Sequence, residues 1–191
     1  MSDLPNLEFH PLTPERWSDF ERLFGPRGAC AGCWCMYWKL PRKDFTYNQG
    51  EGNRLMQKAI VASGRTPGLL GYVDGVPAGW IAIEPRQNYP GLARSRVLKP
   101  VDETPVWSVT CFFVERRYRR KGLTVALLRA AVDYVAKQSC RVIEGYPVEP
   151  RQGKASSPVF VYTGVASAFL QAGFVEVARR SETRPIMRFY I

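Results

Sequence analysis

The sequence is poor in metal-ligating side chains: it has one histidine and five cysteines in 191 residues. Structural zinc usually takes four Cys or His ligands drawn from two separated pairs. Three cysteines cluster in Cys30-Ala31-Gly32-Cys33-Trp34-Cys35, but Cys111 and Cys140 stand alone and the only histidine is His10, so no metal is expected. The odd cysteine count argues against a disulfide framework and for reduced thiols in the cytoplasm. The opening Met1-Ser2-Asp3-Leu4-Pro5 has no charged stretch leading into an apolar run, so it does not resemble a secretory signal. No window holds 18 consecutive apolar residues, and a transmembrane helix is not expected. Repeats, low-complexity tracts and linkers are also missing, so residues 1–191 are expected to form a single domain. Acidic residues are outnumbered, 17 to 27 basic ones, giving a formal charge of +10. That excess favours an anionic partner, whether nucleic acid, a membrane surface or a polyphosphate cofactor, and composition does not choose among them.

Patterning is informative. A short strand at 7–12 is followed by Thr13-Pro14, an N-cap and first-turn proline that open a helix carrying Trp17, Phe20 and Phe24. Residues 27–50 lack periodicity. A second helix is expected over 51–62 with Leu55, Met56, Ala59 and Ile60 on its inner face. Asp74-Gly75 joins two apolar runs, 68–73 and 78–83, as a hairpin. A long loop, 86–105, precedes a continuous apolar run at 106–114, as suits the centre of a sheet. A helix at 123–137, a strand at 141–148, a polar loop at 149–157, a short helix at 165–172 and two last strands, 175–178 and 186–191, complete an α/β domain. Gly173-Phe174 reads as the C-cap of the short helix.

The stretch Phe112-Phe113-Val114-Glu115-Arg116-Arg117-Tyr118-Arg119-Arg120-Lys121-Gly122-Leu123-Thr124 carries the chemistry. A buried strand enters a basic turn that opens a helix. The first amides of a helix have no internal partners and the macrodipole adds positive charge there, so a phosphate group settles at that point. Gly122 lets the backbone approach an anion closely. Arg119-Arg120-Lys121-Gly122-Leu123-Thr124 resembles the acyl-CoA signature of the GNAT superfamily, Gln/Arg-x-x-Gly-x-Gly/Ala, with Thr124 departing from the preferred small residue. The element order resembles that family over nearly the whole chain, as does the closing Ala168-Phe169-Leu170-Gln171-Ala172-Gly173-Phe174.

The resemblance implies a mixed, largely antiparallel sheet of about seven strands flanked by about four helices. It implies acetyl-CoA as acyl donor, with Arg119, Arg120, Lys121, Gly122, Leu123 and Thr124 around its pyrophosphate. Phe112, Phe113 and Val114 would meet the pantetheine arm, and the Val114 amide would face the developing oxyanion. The acceptor would be a primary amine attacking directly in a ternary complex, and homodimers are common among relatives.

An acceptor amine with pKa ~10.4 is neutral in only about one molecule per thousand near pH 7, which adds ~4 kcal/mol to the barrier unless a proton is removed. The family's usual carboxylate on the motif strand is replaced by Ser108 and its usual tyrosine on the last helix by Phe169. Alternation puts Val142, Glu144 and Tyr146 on one face of the next strand, which offers Glu144 as base and Tyr146 as acid. Glu84 and Tyr162 are the next candidates. Trp34, Met36, Tyr37 and Trp38 are expected to wall the acceptor pocket. Two alternatives stand beside this reading. One is a basic, non-catalytic nucleic-acid-binding domain; the other is a GNAT enzyme using another acyl-CoA or a hydroxyl acceptor.

Overall fold

Asp74 and Gly75 adopt φ of 49° and 72°, the left-handed geometry that a tight hairpin requires. They join strands β2 (Gly68–Val73) and β3 (Val76–Pro85) as the sequence anticipates. The structure is a computed structural model and describes residues 6–150 and 161–191; most of the polar loop expected at 149–157 lies outside the described residues. Around the hairpin, β1 (Leu7–Pro11), β4 (Trp107–Val114), β5 (Val142–Gly145), β6 (Val175–Arg179) and β7 (Pro185–Tyr190) build one seven-stranded sheet, in the order β1-β2-β3-β4-β5-β7-β6. Every pairing is antiparallel except β4 with β5.

The parallel pair sets the site. β4 and β5 share only three register pairs, the last being Val109 with Gly145, and then diverge. On its other edge β4 carries a bulge: Ala82 opposes Cys111 and Ile83 opposes Val109, which leaves Thr110 as the extra residue. Bulges bend a strand and increase its twist, and this one falls where β4 leaves its neighbour. β5 ends at Gly145 rather than at the expected 148, because Pro147 has no N–H for a ladder. Val148 makes only an isolated bridge to Val165.

Two cores cover the sheet. Helix α5 (Leu123–Ala136) presents Leu123, Leu127, Leu128, Ala131 and Val135 to Ile81, Ile83, Val109 and Phe112. α6 (Ala166–Gln171) adds Phe169 to this core, and Phe174 folds back beyond Gly173 to pack on it at 5.0 Å. On the opposite face α1 (Trp17–Phe24) lays Trp17, Phe20, Leu23 and Phe24 against Trp34, Leu70 and Trp80.

Helix α3 (Glu51–Ala62) corrects the sequence reading. It buries Asn53, Gln57 and Val61, while Leu55 is exposed. The Asn53 amide donates to the carbonyls of Gly32 and Phe45, so satisfying a neighbouring loop decides which side of the helix turns inward. Short helices α2 (Arg42–Tyr47) and α4 (Pro90–Ala93) form within segments expected to be irregular, bringing the described α-helices to six rather than about four.

Candidate active site

Gly122 caps α5 at φ 80°, ψ 0°, a conformation that costs an L residue roughly 1–2 kcal/mol. The first i→i−4 bond of the helix runs from the Ala126 N–H to the Gly122 carbonyl. The amides of Leu123, Thr124 and Val125 therefore lie ahead of the helical ladder. They open on a cavity of about 230 Å³ bounded by Val114, Tyr118, Gly122, Thr124, Val125 and Ala168. Arg119 and Arg120 also border it. Arg119 donates from Nε to the Val114 carbonyl at 2.9 Å, which ties the basic turn to the end of β4. Lys121 is exposed. A diphosphate fits this donor set: unpaired backbone amides, a residue without Cβ and flanking cations. Thr124, the departure from the signature, sits in the first helical turn, where its β-branch is accommodated.

The three β4 residues divide between faces. Phe112 packs into the α5 core, 6.0 Å from Phe169, whereas Phe113 lies 5.4 Å from Phe24 on the other side. The Phe112 N–H donates to the Tyr162 carbonyl at 2.6 Å. Because peptide groups alternate along a strand, the Val114 amide faces the same side of β4 as that of Phe112, and Val114 borders the cavity.

Glu144 and Tyr146 are brought together, but not as base and acid at an open surface. Glu144, 1% exposed, accepts from Arg86 Nη1 at 2.9 Å, Arg188 Nε at 2.8 Å and the Tyr146 hydroxyl at 2.7 Å. Two guanidiniums and a phenol engage both carboxylate oxygens, leaving none directed at a cleft; this corrects the assignment of Glu144 as base. Arg188 also reaches both oxygens of Asp102. The Tyr146 hydroxyl meets Ser108 Oγ at 2.8 Å. Burial, followed by the charge of Glu144, pushes this phenol well up, so it keeps its proton. Glu84 is equally engaged: it is paired with buried Lys39, with Arg65 at 2.5 Å and with Asn88 at 3.1 Å.

The expected aromatic wall splits in two. Trp34 is 5% and Met36 2% exposed. The Trp34 indole is stacked between Trp17 and Phe24 and lies so close over Gly28 that a Cβ there would fall 2.3 Å from its Nε1. These two residues are core, a correction. Tyr37, 41% exposed, faces outward, with its ring at edge angles to Trp38, Phe45 and Tyr162, whereas Trp38 is half-buried against Tyr89 and Leu92. The five cysteines are free thiols.

Sequence reasoning missed Arg86, Arg188, Lys39 and Arg184. Lone basic residues in loops and strands carry no spacing signal. A buried Glu144 on an apolar strand did imply that some cation must meet it, although not which one.

The sequence profile of the Acetyltransferase (GNAT) family matches residues 34–153. No protein of curated function matches the chain. Solved structures agree on the fold. A GNAT-family acetyltransferase from Listeria monocytogenes superposes with TM-score 0.59 at 10% identity, over 100% of this chain and 98% of that one. The PaiA N-acetyltransferase of Thermoplasma acidophilum, solved with coenzyme A, gives 0.53 at 15% identity over 97% and 99%. Aminoglycoside acetyltransferase AAC(6')-Ib, also solved with coenzyme A, gives 0.55 at 14% over 97% and 95%. These identities speak to fold, and the profile, spanning more than half of the sequence, speaks to kinship. With the glycine-capped turn standing at the mouth of a diverging strand pair, this chain belongs to the GNAT acetyltransferase family.

Proposed function

We propose that the protein transfers an acetyl group from acetyl-CoA to a primary amine by direct attack in a ternary complex. Family membership sets aside the non-catalytic nucleic-acid-binding alternative. The observation that carries the reading is the set of amides at Leu123, Thr124 and Val125 behind left-handed Gly122. Each bond from such a donor to a charged oxygen contributes roughly 1.5–3 kcal/mol, which suffices to anchor a diphosphate. From there an extended pantetheine chain meets β4 at Val114, beyond the point where the Tyr162 carbonyl takes the Phe112 N–H, with the Val114 amide beside the thioester carbonyl as the donor to the oxyanion.

An activated thioester needs no enzyme nucleophile. Tyr146 donates its one hydroxyl proton to Glu144 and is buried with Ser108, so Glu144 and Tyr146 are positioning residues and the leaving thiolate takes its proton from solvent. With Glu144 and Glu84 both engaged, the amine proton leaves to solvent. Reduced cytoplasmic thiols agree with the five free cysteines, and among the described residues no helix is long and apolar enough to cross a membrane. Isothermal titration with CoA at fixed ionic strength tests the donor site, and thiol release with an amine panel tests the reaction. Failure of CoA to bind at millimolar concentration ends the proposal.

A further inference from the structure

The hairpin of β6 and β7 is rich in arginine, and all but one of its guanidiniums are fully engaged. Arg179 pairs with Glu149 and Glu176, Arg180 donates to the carbonyls of Val97, Lys99 and Pro100, and Arg188 holds Glu144 and Asp102. Arg184 differs. It is half-buried, and among the described residues its side chain meets only a neutral hydroxyl, Thr163 Oγ1 at 3.2 Å. No carboxylate is paired with it there. Thr163 adjoins Tyr162, whose ring lies 6.1 Å from that of Tyr37 at a steep angle, and the two phenols are the nearest groups that favour the Arg184 charge. Burial works against its positive charge, and a partly desolvated guanidinium without a counter-charge is an unfavourable arrangement in a resting protein.

The location gives the arrangement a use. Thr163, its hydrogen-bond partner, follows Tyr162, whose carbonyl receives the Phe112 N–H at the edge where β4 leaves β5. Tyr37 is the exposed member of the aromatic wall and meets Trp38 and Phe45 edge to face. Arg184 therefore stands beside the reacting end of the cleft, on the side of that wall, and does not border the cavity at Gly122.

We infer that the acceptor amine carries an anionic oxygen group, carboxylate or phosphate, which the Arg184 guanidinium grips while the body of the molecule lies against Tyr37 and Tyr162. The planar fork of arginine matches such oxygens two at a time. A polycationic amine would be repelled by the same residue. The inference rests on the acetyl-transfer reading and narrows its acceptor to small zwitterionic or acidic amines.

The test measures kcat/KM by thiol release for matched amines on the intact chain. The L-amino acids are compared with their amides and decarboxylated amines, and O-phosphoethanolamine with ethanolamine. The expected result is a preference for the anionic member of about 10–100-fold, with the amino-acid and phosphate arms telling which oxygen group is meant. Arg184→Gln should collapse that ratio toward unity through KM, Arg184→Lys should restore part of it, and CoA affinity and melting temperature should hold in both. The inference is overturned if charge-free amines are turned over as well as anionic ones, if no anionic amine is accepted by protein that binds CoA, or if Arg184→Gln keeps the ratio. A shift of CoA affinity in Arg184→Gln would likewise overturn it, by placing the guanidinium on the donor. Loss of CoA binding by the wild-type protein would instead sink the underlying enzymatic reading.

Discussion

Replacing Gly122 with valine isolates the backbone cradle. The residue sits at φ 80°, ψ 0°, where an L side chain costs roughly 1–2 kcal/mol and a β-branched one more. Gly75 supplies the control: it has φ 72° in the β2–β3 turn, and an added Cβ would meet nothing within 4 Å. Gly75→Val therefore imposes the same strain at a residue that does not line the cavity. In a chain of this length each 1 kcal/mol lowers the melting temperature by ~2–4 °C, so both variants should lose several degrees and remain folded. Only at Gly122 does relaxation of the strained peptide swing the Leu123 and Thr124 amides away from the cavity. Losing two charge-assisted bonds of ~1.5–3 kcal/mol each weakens CoA binding by ~10²–10⁴-fold. Calorimetric titration at constant salt reads the difference directly. The reasoning is refuted if Gly122→Val binds CoA within about threefold of wild type, or if Gly75→Val loses as much.

Glu144→Gln should act mainly on stability. It leaves Arg86 and Arg188 buried against a neutral amide, a change of about 3–5 kcal/mol seen as a large drop in melting temperature; an unchanged melting curve with a much lower kcat would reinstate Glu144 as the base. Gly145→Ala would put a methyl group 2.1 Å from the Phe169 ring, an overpacking of about 1–3 kcal/mol. Shortening that ring in Gly145→Ala/Phe169→Leu should recover most of it, and strictly additive losses would show that the two do not touch. The pH profile follows from the engaged carboxylates. Only the neutral amine attacks, so log kcat/KM should climb with unit slope as pH rises toward the acceptor's own pKa. A plateau beginning near pH 5–6 would reveal an enzyme carboxylate taking the proton.

Where the sequence spoke locally, it was sufficient. Asp74-Gly75 dictates its hairpin, Gly173-Phe174 its C-cap, and Arg119–Thr124 with the apolar strand before it dictates the glycine-capped turn into α5, because each is a backbone conformation decided by neighbouring residues. The tertiary structure decided the rest, since partners of buried side chains come from anywhere in the chain. Glu144 takes its cations from 58 residues before it and 44 after it, which converts an apparent base into a structural anchor. Trp34 and Met36 share a sequence segment with Tyr37 and Trp38, yet they face the core because the turn at Gly28 leaves room for an indole. Arg184 looks like any other arginine until the β6–β7 hairpin folds and its guanidinium, among the described residues, is left with a neutral hydroxyl in place of a carbonyl or carboxylate.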